Sequence, residues 1–324
     1  MGVSPGASPG AFTIWVWAIR PRTLPLAASA IVLGYGLARM HGTASVPVFV
    51  LALVTAILLQ VLSNLANDYG DAAKGTDTAE RLGPTRMVGS GLTTARTMFR
   101  AMLLSAALAL ISGSALVLIA AWRNPPLLLF FVCLGASCIA AAIFYTVGKR
   151  PYGYYGLGDF MAGFFFGPVP VWGTAVLCAA PLHMVTPAIF PPDFFGAGLF
   201  LPDLFLPGLA AGFCSTMVLN VNNMRDMETD EKSGKRTVAV RLGRARARVY
   251  HATLSAGTVL CWTAFWLMHN TAYLPSLVLC LPLIGSVAKA ITDTTNAAAM
   301  NRQLKNTVLA SALLNAGMGL LCGV

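Results

Sequence analysis

Two stretches of the chain place carboxylates and side-chain amides at helical spacing, the arrangement a divalent cation would use. In the first, Asn67 and Asp71 lie four apart and Asp68 and Asp71 three apart, so on a helix Asp71 shares a face with both. Asp77 follows after Lys74 and Gly75, where the helix is expected to loosen. In the second, Asn223, Asp226 and Asp230 repeat at three and four, again one face of one helix. Hard oxygen ligands of this kind suit Mg²⁺, which keeps several waters and binds through one or two carboxylates plus substrate phosphates. Lys74, Arg81 and Arg86 follow the first stretch and Lys235 and Arg236 the second; with Lys149 they would neutralise the remaining phosphate charge. Solvated helix ends also carry acids. Two clusters with the same spacing, the same Asn plus Asp chemistry and the same basic followers make that explanation the weaker one.

The helices that would hold these clusters belong in a bilayer. Only 10% of the 324 residues are charged, 56% are hydrophobic, and mean hydropathy is +0.70. A soluble domain carries about a quarter charged residues. Apolar runs near 24–40, 46–66, 100–121, 126–147, 159–180, 204–222, 249–268, 272–290 and 307–323 are each close to the ~20 residues a spanning helix needs. Backbone groups in lipid must be satisfied internally, so the expected fold is all-α: a polytopic membrane protein of nine transmembrane helices. No polar linker divides the runs, which gives one membrane domain over 24–324. Residues 1–23 read as a cytoplasmic or interfacial lead-in, with Trp15 and Trp17 suited to the headgroup layer. The first ten residues lack a basic region, so the first span is expected to be retained rather than cleaved. The seven cysteines are single, without a CxxC pair, and read as small buried apolar residues. His41, His183, His251 and His269 are isolated from metal-spaced partners.

Charge then sets orientation. The net charge of +10 suggests nucleic acid, but all of the 22 Lys and Arg except Arg39 and Arg123 fall in alternate loops. Such a split is the positive-inside pattern of a cytoplasmic membrane protein and not a nucleic-acid surface. It puts the N-terminus and the loops 67–99, 148–158 and 223–248 in the cytoplasm and the C-terminus outside. Both acidic clusters are therefore on one side, at the inner mouth of the bundle. The run Arg241, Arg244, Arg246 and Arg248 is suited to anionic lipid headgroups.

A third polar segment, YTVGKRPYGYYGLGD at 145–159, joins the fourth and fifth runs. Its glycines and Pro151 predict a tight irregular turn. Tyr145, Lys149, Tyr152, Tyr154, Tyr155 and Asp159 also crowd it with functional groups, and tyrosine faces can stabilise a cation.

NDYGDAAKGTD at 67–77 and NNMRDMETD at 222–230 resemble the two aspartate-rich motifs of the UbiA-type aromatic prenyltransferase superfamily. The first carries two extra residues before its final acid, Asp77. RPRTLPLA at 20–27, the 145–159 segment, FFFGPVPVWGT at 164–174 and LNVNNMRDMETDEKSGKRTVAVRLG at 219–243 resemble the branch that prenylates 1,4-dihydroxy-2-naphthoate in menaquinone synthesis. The resemblance covers essentially the whole chain. It implies a nine-helix bundle with a central cavity, where Asn67, Asp71, Asp77, Asn223, Asp226 and Asp230 hold Mg²⁺ directly or through water. Lys74, Arg86, Lys149 and Lys235 would contact the diphosphate of a polyprenyl diphosphate. Asp71, Asp226, Lys149 and Tyr145 would carry the catalytic step, with Tyr145, Tyr154 and Phe165 facing a carbocation-like prenyl centre. Arg22, Tyr154 and Asp159 are the candidates for the naphthoate acceptor. Two other functions remain open at this point: a branch acting on 4-hydroxybenzoate, and a cation-coupled transporter. The second fits poorly with acids at helix ends on one side.

Overall fold

Proline, glycine and small polar caps cut the apolar runs into helices. The computed structural model describes residues 9–42, 44–76, 83, 85–180, 202–269, 273–292 and 297–323. The helices are α1 (Ala11–Ile19), α2 (Leu24–Met40), α3 (Val46–Ala73), α4 (Ala95–Ala121), α5 (Pro125–Phe144), α6 (Gly158–Phe165), α7 (Pro168–Ala179), α8 (Pro202–Lys232), α9 (Val238–His269), α10 (Tyr273–Thr292) and α11 (Ala297–Cys322). Proline occupies the first turn of α2, α3, α5 and α7, where its missing N–H costs nothing. Thr94 caps α4 by accepting from the Thr97 N–H at 3.1 Å, and Asn124 caps α5 through Leu127 at 3.2 Å. Asp77, Arg81, His183 and most of the 181–203 loop lie outside the described residues.

Each apolar run falls within this helical framework, and no strand occurs among the described residues. Six stretches are long and apolar enough to cross a membrane: 11–40, 46–73, 95–121, 125–144, 158–179 and 203–232. The last three helices are less uniformly apolar, because Arg244, Arg246 and Arg248 enter α9, Lys289 enters α10, and Arg302 and Lys305 enter α11. Two runs are also broken. The fifth divides into α6 and α7 at Gly167, where Pro168 cannot continue the ladder and a Cβ on Gly167 would strike the Gly212 backbone. The helix of the seventh run reaches back to Val238, interrupted at Gly243 with φ 72°.

Large apolar side chains such as Leu104, Ile111, Leu129, Leu260, Leu267 and Leu313 point outward, as a bilayer requires and water would penalise. Inside, α2, α7, α8, α9, α10 and α11 share a core built on Leu33, Leu37, Met217, Trp262, Phe265 and Leu314. Helix α2 lies so close to α11 that a Cβ on Gly36 would fall on the Gly319 carbonyl, a contact open only to glycine. Helix α1 packs through Ala18 against Leu62, Leu65 and Ala66 of α3. At the end of the bundle remote from the acidic clusters, His41 and His269 flank Asp203 at 3.7 and 3.2 Å, tying α2, α8 and α9 together. These two histidines thus have an acidic partner that sequence separation concealed. Five of the cysteines are buried, whereas Cys133 is exposed on α5 and Cys138 is half-buried.

Candidate active site

Helix α3 stops at Ala73 because Gly75 turns the chain at φ 67°, leaving Asp71 in the last turn and 2% exposed. Asp68, one turn earlier, accepts the backbone N–H groups of Met87 and Val88 at 2.8 and 2.9 Å. That clamp folds the following segment back and lays Arg86 over Asp71, with Nη2 donating to Oδ2 at 2.7 Å. The Tyr154 hydroxyl donates to the other oxygen, Oδ1, at 2.9 Å. Asn67 accepts from Thr146 Oγ1 at 3.4 Å.

Helix α8 brings the second cluster alongside. Lys235 Nζ stands 4.0 Å from Asp71 Oδ1 and 3.9 Å from Asp230 Oδ1, so one ammonium bridges the two motifs. The turn that aims it is closed by the Lys235 N–H on the Asp230 carbonyl at 2.8 Å. Asp226 is gripped by its neighbour Arg225, through Nε at 2.8 Å and Nη2 at 2.6 Å. Asn223 is buried on the same helix face. The 145–159 segment folds as a short 3₁₀ turn over Tyr152–Tyr155, pinned by the Arg236 N–H on the Tyr154 carbonyl at 3.0 Å. The Tyr154 ring lies 5.3 Å below Lys235 and 5.6 Å from Lys74. Burial raises the phenol pKa of Tyr154 above its ordinary value, and the Asp71 charge raises it further. Tyr145 is raised by burial first, then by Asp71, Asp159 and Asp230. Both therefore remain neutral hydrogen-bond donors at physiological pH.

A cavity of about 440 Å³ opens below these groups. Asn67, Asp71, Arg86, Asn222 and Lys235 form its head, Arg20, Thr23, Gln60 and Asn64 one flank, and Tyr145 and Tyr152 another. Its body is apolar, walled by Ile31, Val117, Phe131, Ile139, Phe165 and Leu177. Of the residues the sequence singled out, the structure gathers Asn67, Asp71, Arg86 and Lys235 at the head and Tyr145 on a flank, with Tyr154 bonded to Asp71 and Asn223, Asp226 and Asp230 buried beside them. Asp159 is 5% exposed, receives the Tyr250 hydroxyl and is not part of the cavity wall. Lys74 and Lys149 stand exposed and are not part of the wall, nor is Arg22, which is exposed on its 3₁₀ turn.

The polar flank of Arg20, Thr23, Gln60 and Asn64 was not singled out, nor was Asn222 at the head. Arg20 lines the cavity in place of Arg22, and it is the sole non-glycine residue with positive φ (54°) among the described residues. Its signal was the Arg-Pro pair: a residue before proline is barred from the helix, which breaks the chain between α1 and α2 there. Gln60 and Asn64 join it through Thr23, with Asn64 donating to the Ile19 carbonyl at 2.8 Å and Thr23 at 3.1 Å.

No group of three His, Cys, Asp or Glu side chains closes around a single point among the described residues. Each acid instead faces a cation: Arg86 on Asp71, Arg225 on Asp226, Lys235 between Asp71 and Asp230. Hard oxygen donors on two adjoining helix ends, with cations interleaved, fit Mg²⁺ brought in with phosphate oxygens that complete its shell.

Fold and site together define an integral membrane protein with a cavity that is polar where Asp71, Arg86 and Lys235 meet and apolar along its body. Residues 27–309 match the UbiA prenyltransferase family, and the chain belongs to that family. It is 42% identical over 306 residues to the 1,4-dihydroxy-2-naphthoate octaprenyltransferase of Escherichia coli (strain K12), covering 93% of this chain and 92% of that one. In fold it is similar to the apo structure of a UbiA homolog from Aeropyrum pernix K1, with TM-score 0.67, 15% identity, and 91% and 96% of the two chains covered. It is similar also to the structure of a UbiA homolog from Archaeoglobus fulgidus bound to GPP and Mg²⁺, with TM-score 0.58, 18% identity, and 96% and 99% covered.

Proposed function

We propose that this chain transfers a polyprenyl group from polyprenyl diphosphate to 1,4-dihydroxy-2-naphthoate, releasing diphosphate and CO₂ and giving a demethylmenaquinone in its reduced, quinol form. The observation that carries the reading is the placement of Asp71: buried, held by Arg86, Tyr154 and Lys235, and facing the head of a cavity whose body is apolar. The naphthoate acceptor follows from the Escherichia coli relative, whose similarity extends over nearly the whole chain.

Asp71, Asp226 and Asp230, with Asn67 and Asn223, would hold Mg²⁺, which would supply Lewis-acid stabilisation of the leaving diphosphate. Arg86 and Lys235 bind the same anion and take up charge as the allylic C–O bond loosens. The apolar wall excludes water from the prenyl centre, and the Tyr145 ring borders it as a neutral aromatic face. The naphthoate ring carbon then forms the new C–C bond as the carboxyl group leaves as CO₂. Arg20, with Gln60 and Asn64 beside it, orients that carboxylate before it departs. Exchange of Arg20 for Gln is expected to raise KM for the naphthoate by about tenfold, the loss of one charge-assisted contact, while Arg22→Gln leaves it unchanged. Equal effects from the two variants in steady-state kinetics would remove Arg20 from this role.

Nine helices span the inner membrane in this reading, preceded by an interfacial segment over 1–23, with the site on the cytoplasmic side and the C-terminus outside. Cysteines introduced at Gly75 and Gly234, in a background lacking other accessible thiols, are expected to react with an impermeant reagent only in inverted vesicles. Reaction from opposite sides would separate the two clusters and end the shared-site reading.

The branch is tested directly by carboxyl-labelled naphthoate with membranes containing the protein and a polyprenyl diphosphate. Label is expected to appear as CO₂ in step with prenylated product, with 4-hydroxybenzoate a poor acceptor. Label retained in the product, or preference for 4-hydroxybenzoate, assigns the chain to a different acceptor.

A further inference from the structure

Arg225 stands within the second acidic stretch, between Asn223 and Asp226, and its side chain is 1% exposed. Nε and Nη2 take both oxygens of Asp226 at 2.8 and 2.6 Å, fork against fork. Nη2 also reaches Asn222 Oδ1 at 2.8 Å, and Nη1 reaches Asn301 Oδ1 on α11 at 3.0 Å. Gly83 closes over the group: a Cβ there would stand 2.7 Å from Nη2. The guanidinium is thus fixed from α8, α11 and the segment that follows α3. Arg86 and Lys235 line the cavity and can turn to an incoming phosphate, whereas Arg225 and Asp226 are not part of its wall.

We propose that Arg225 is a resident counter-cation that denies Asp226 to a divalent metal until a diphosphate group arrives. This rests on the reading of Asp226 as a metal ligand given above. A divalent cation arriving alone must break two charge-assisted hydrogen bonds and leave a buried guanidinium beside a like charge. A diphosphate at the cavity head adds negative charge that offsets the repulsion between the metal and Arg225, so metal and diphosphate strengthen each other's binding by the same factor. Arg225 is then a positioning residue, acting on the site through Asp226 and not by touching the prenyl donor.

Mn²⁺ binding to the full-length detergent-solubilised protein, followed by the loss of the free-ion electron paramagnetic resonance signal, tests this with and without inorganic diphosphate. Wild type is expected to bind Mn²⁺ weakly alone and about tenfold more tightly with diphosphate. Arg225→Met is expected to gain about tenfold in affinity for Mn²⁺ alone, with a matching loss of the diphosphate effect. Arg225→Lys, which keeps the charge without the fork, and Asn301→Ala, which frees Nη1, are expected to give smaller gains of the same sign. These two variants keep the test decisive if Arg225→Met is not recovered folded. Mn²⁺ affinity equal to or below that of wild type in both overturns the proposal, because an arginine serving packing alone would leave metal binding unchanged or impaired. No prenyl donor or aromatic acceptor is present, so failure of the naphthoate assignment leaves this result standing.

Discussion

Asp71→Asn is expected to lower kcat by about three orders of magnitude while the protein is still recovered from membranes in comparable yield. Asn keeps the size of the side chain and can still accept from the Tyr154 hydroxyl, which lies 2.9 Å from Oδ1. What it removes is the negative charge that Arg86 approaches at 2.7 Å and Lys235 at 4.0 Å. Without it the head of the cavity becomes more positive, so a diphosphate can still bind but the metal loses a ligand from the first motif. Removing one preorganised electrostatic contact to a developing charge costs about 10²–10³ in rate, and Asp71 makes several at once. Single-turnover kinetics with matched protein amounts separates this from loss of folding. A rate within tenfold of wild type would mean that Asp71 serves only to anchor Arg86 and Tyr154.

The helices, the clusters and their common end of the bundle were legible because the signal is local. Asn67 to Asp71 and Asn223 to Asp230 repeat at three and four, and that spacing means one face whatever surrounds it. What sequence concealed depends on distant chain or on a single backbone angle. Asp68 matches the motif as well as Asp71 does, yet the N–H groups of Met87 and Val88 capture it, and nothing local announces them. Arg20 and Arg22 differ by two positions. The left-handed turn at Arg20 decides which one reaches the cavity. Arg225 precedes Asp226 directly, and helical neighbours do not normally face each other. Its long side chain wraps back because Asn222 and Asn301 hold the far end of the guanidinium. The break between α6 and α7 lies inside an unbroken apolar run, where hydropathy alone cannot register Gly167 and Pro168 as a stop.

Chelation of divalent metal is expected to abolish prenyl transfer, and Mg²⁺ to restore it fully. Among the described residues, three acids at and beside the cavity head already have cations to match them: Arg86, Arg225 and Lys235 face Asp71, Asp226 and Asp230. The resting site is close to neutral. A diphosphate adds several negative charges to a region where Asp71 is 2% and Asp226 3% exposed, and water cannot screen them there. The three basic residues cannot serve the acids and the substrate together, so further positive charge must enter with the substrate. A divalent ion shared between carboxylate and phosphate oxygens provides it without adding a side chain, and Mg²⁺ tolerates the mixture of protein ligands, water and phosphate such a site offers. Activity in membranes treated with EDTA is expected to fall below about one part in a thousand, in line with loss of the largest electrostatic contribution to the step. Recovery is expected to rise with Mg²⁺ and polyprenyl diphosphate together, each lowering the concentration of the other needed for half-maximal rate. Undiminished turnover in chelator would show that Arg86 and Lys235 carry the departing diphosphate unaided and that the acids serve to hold them in place.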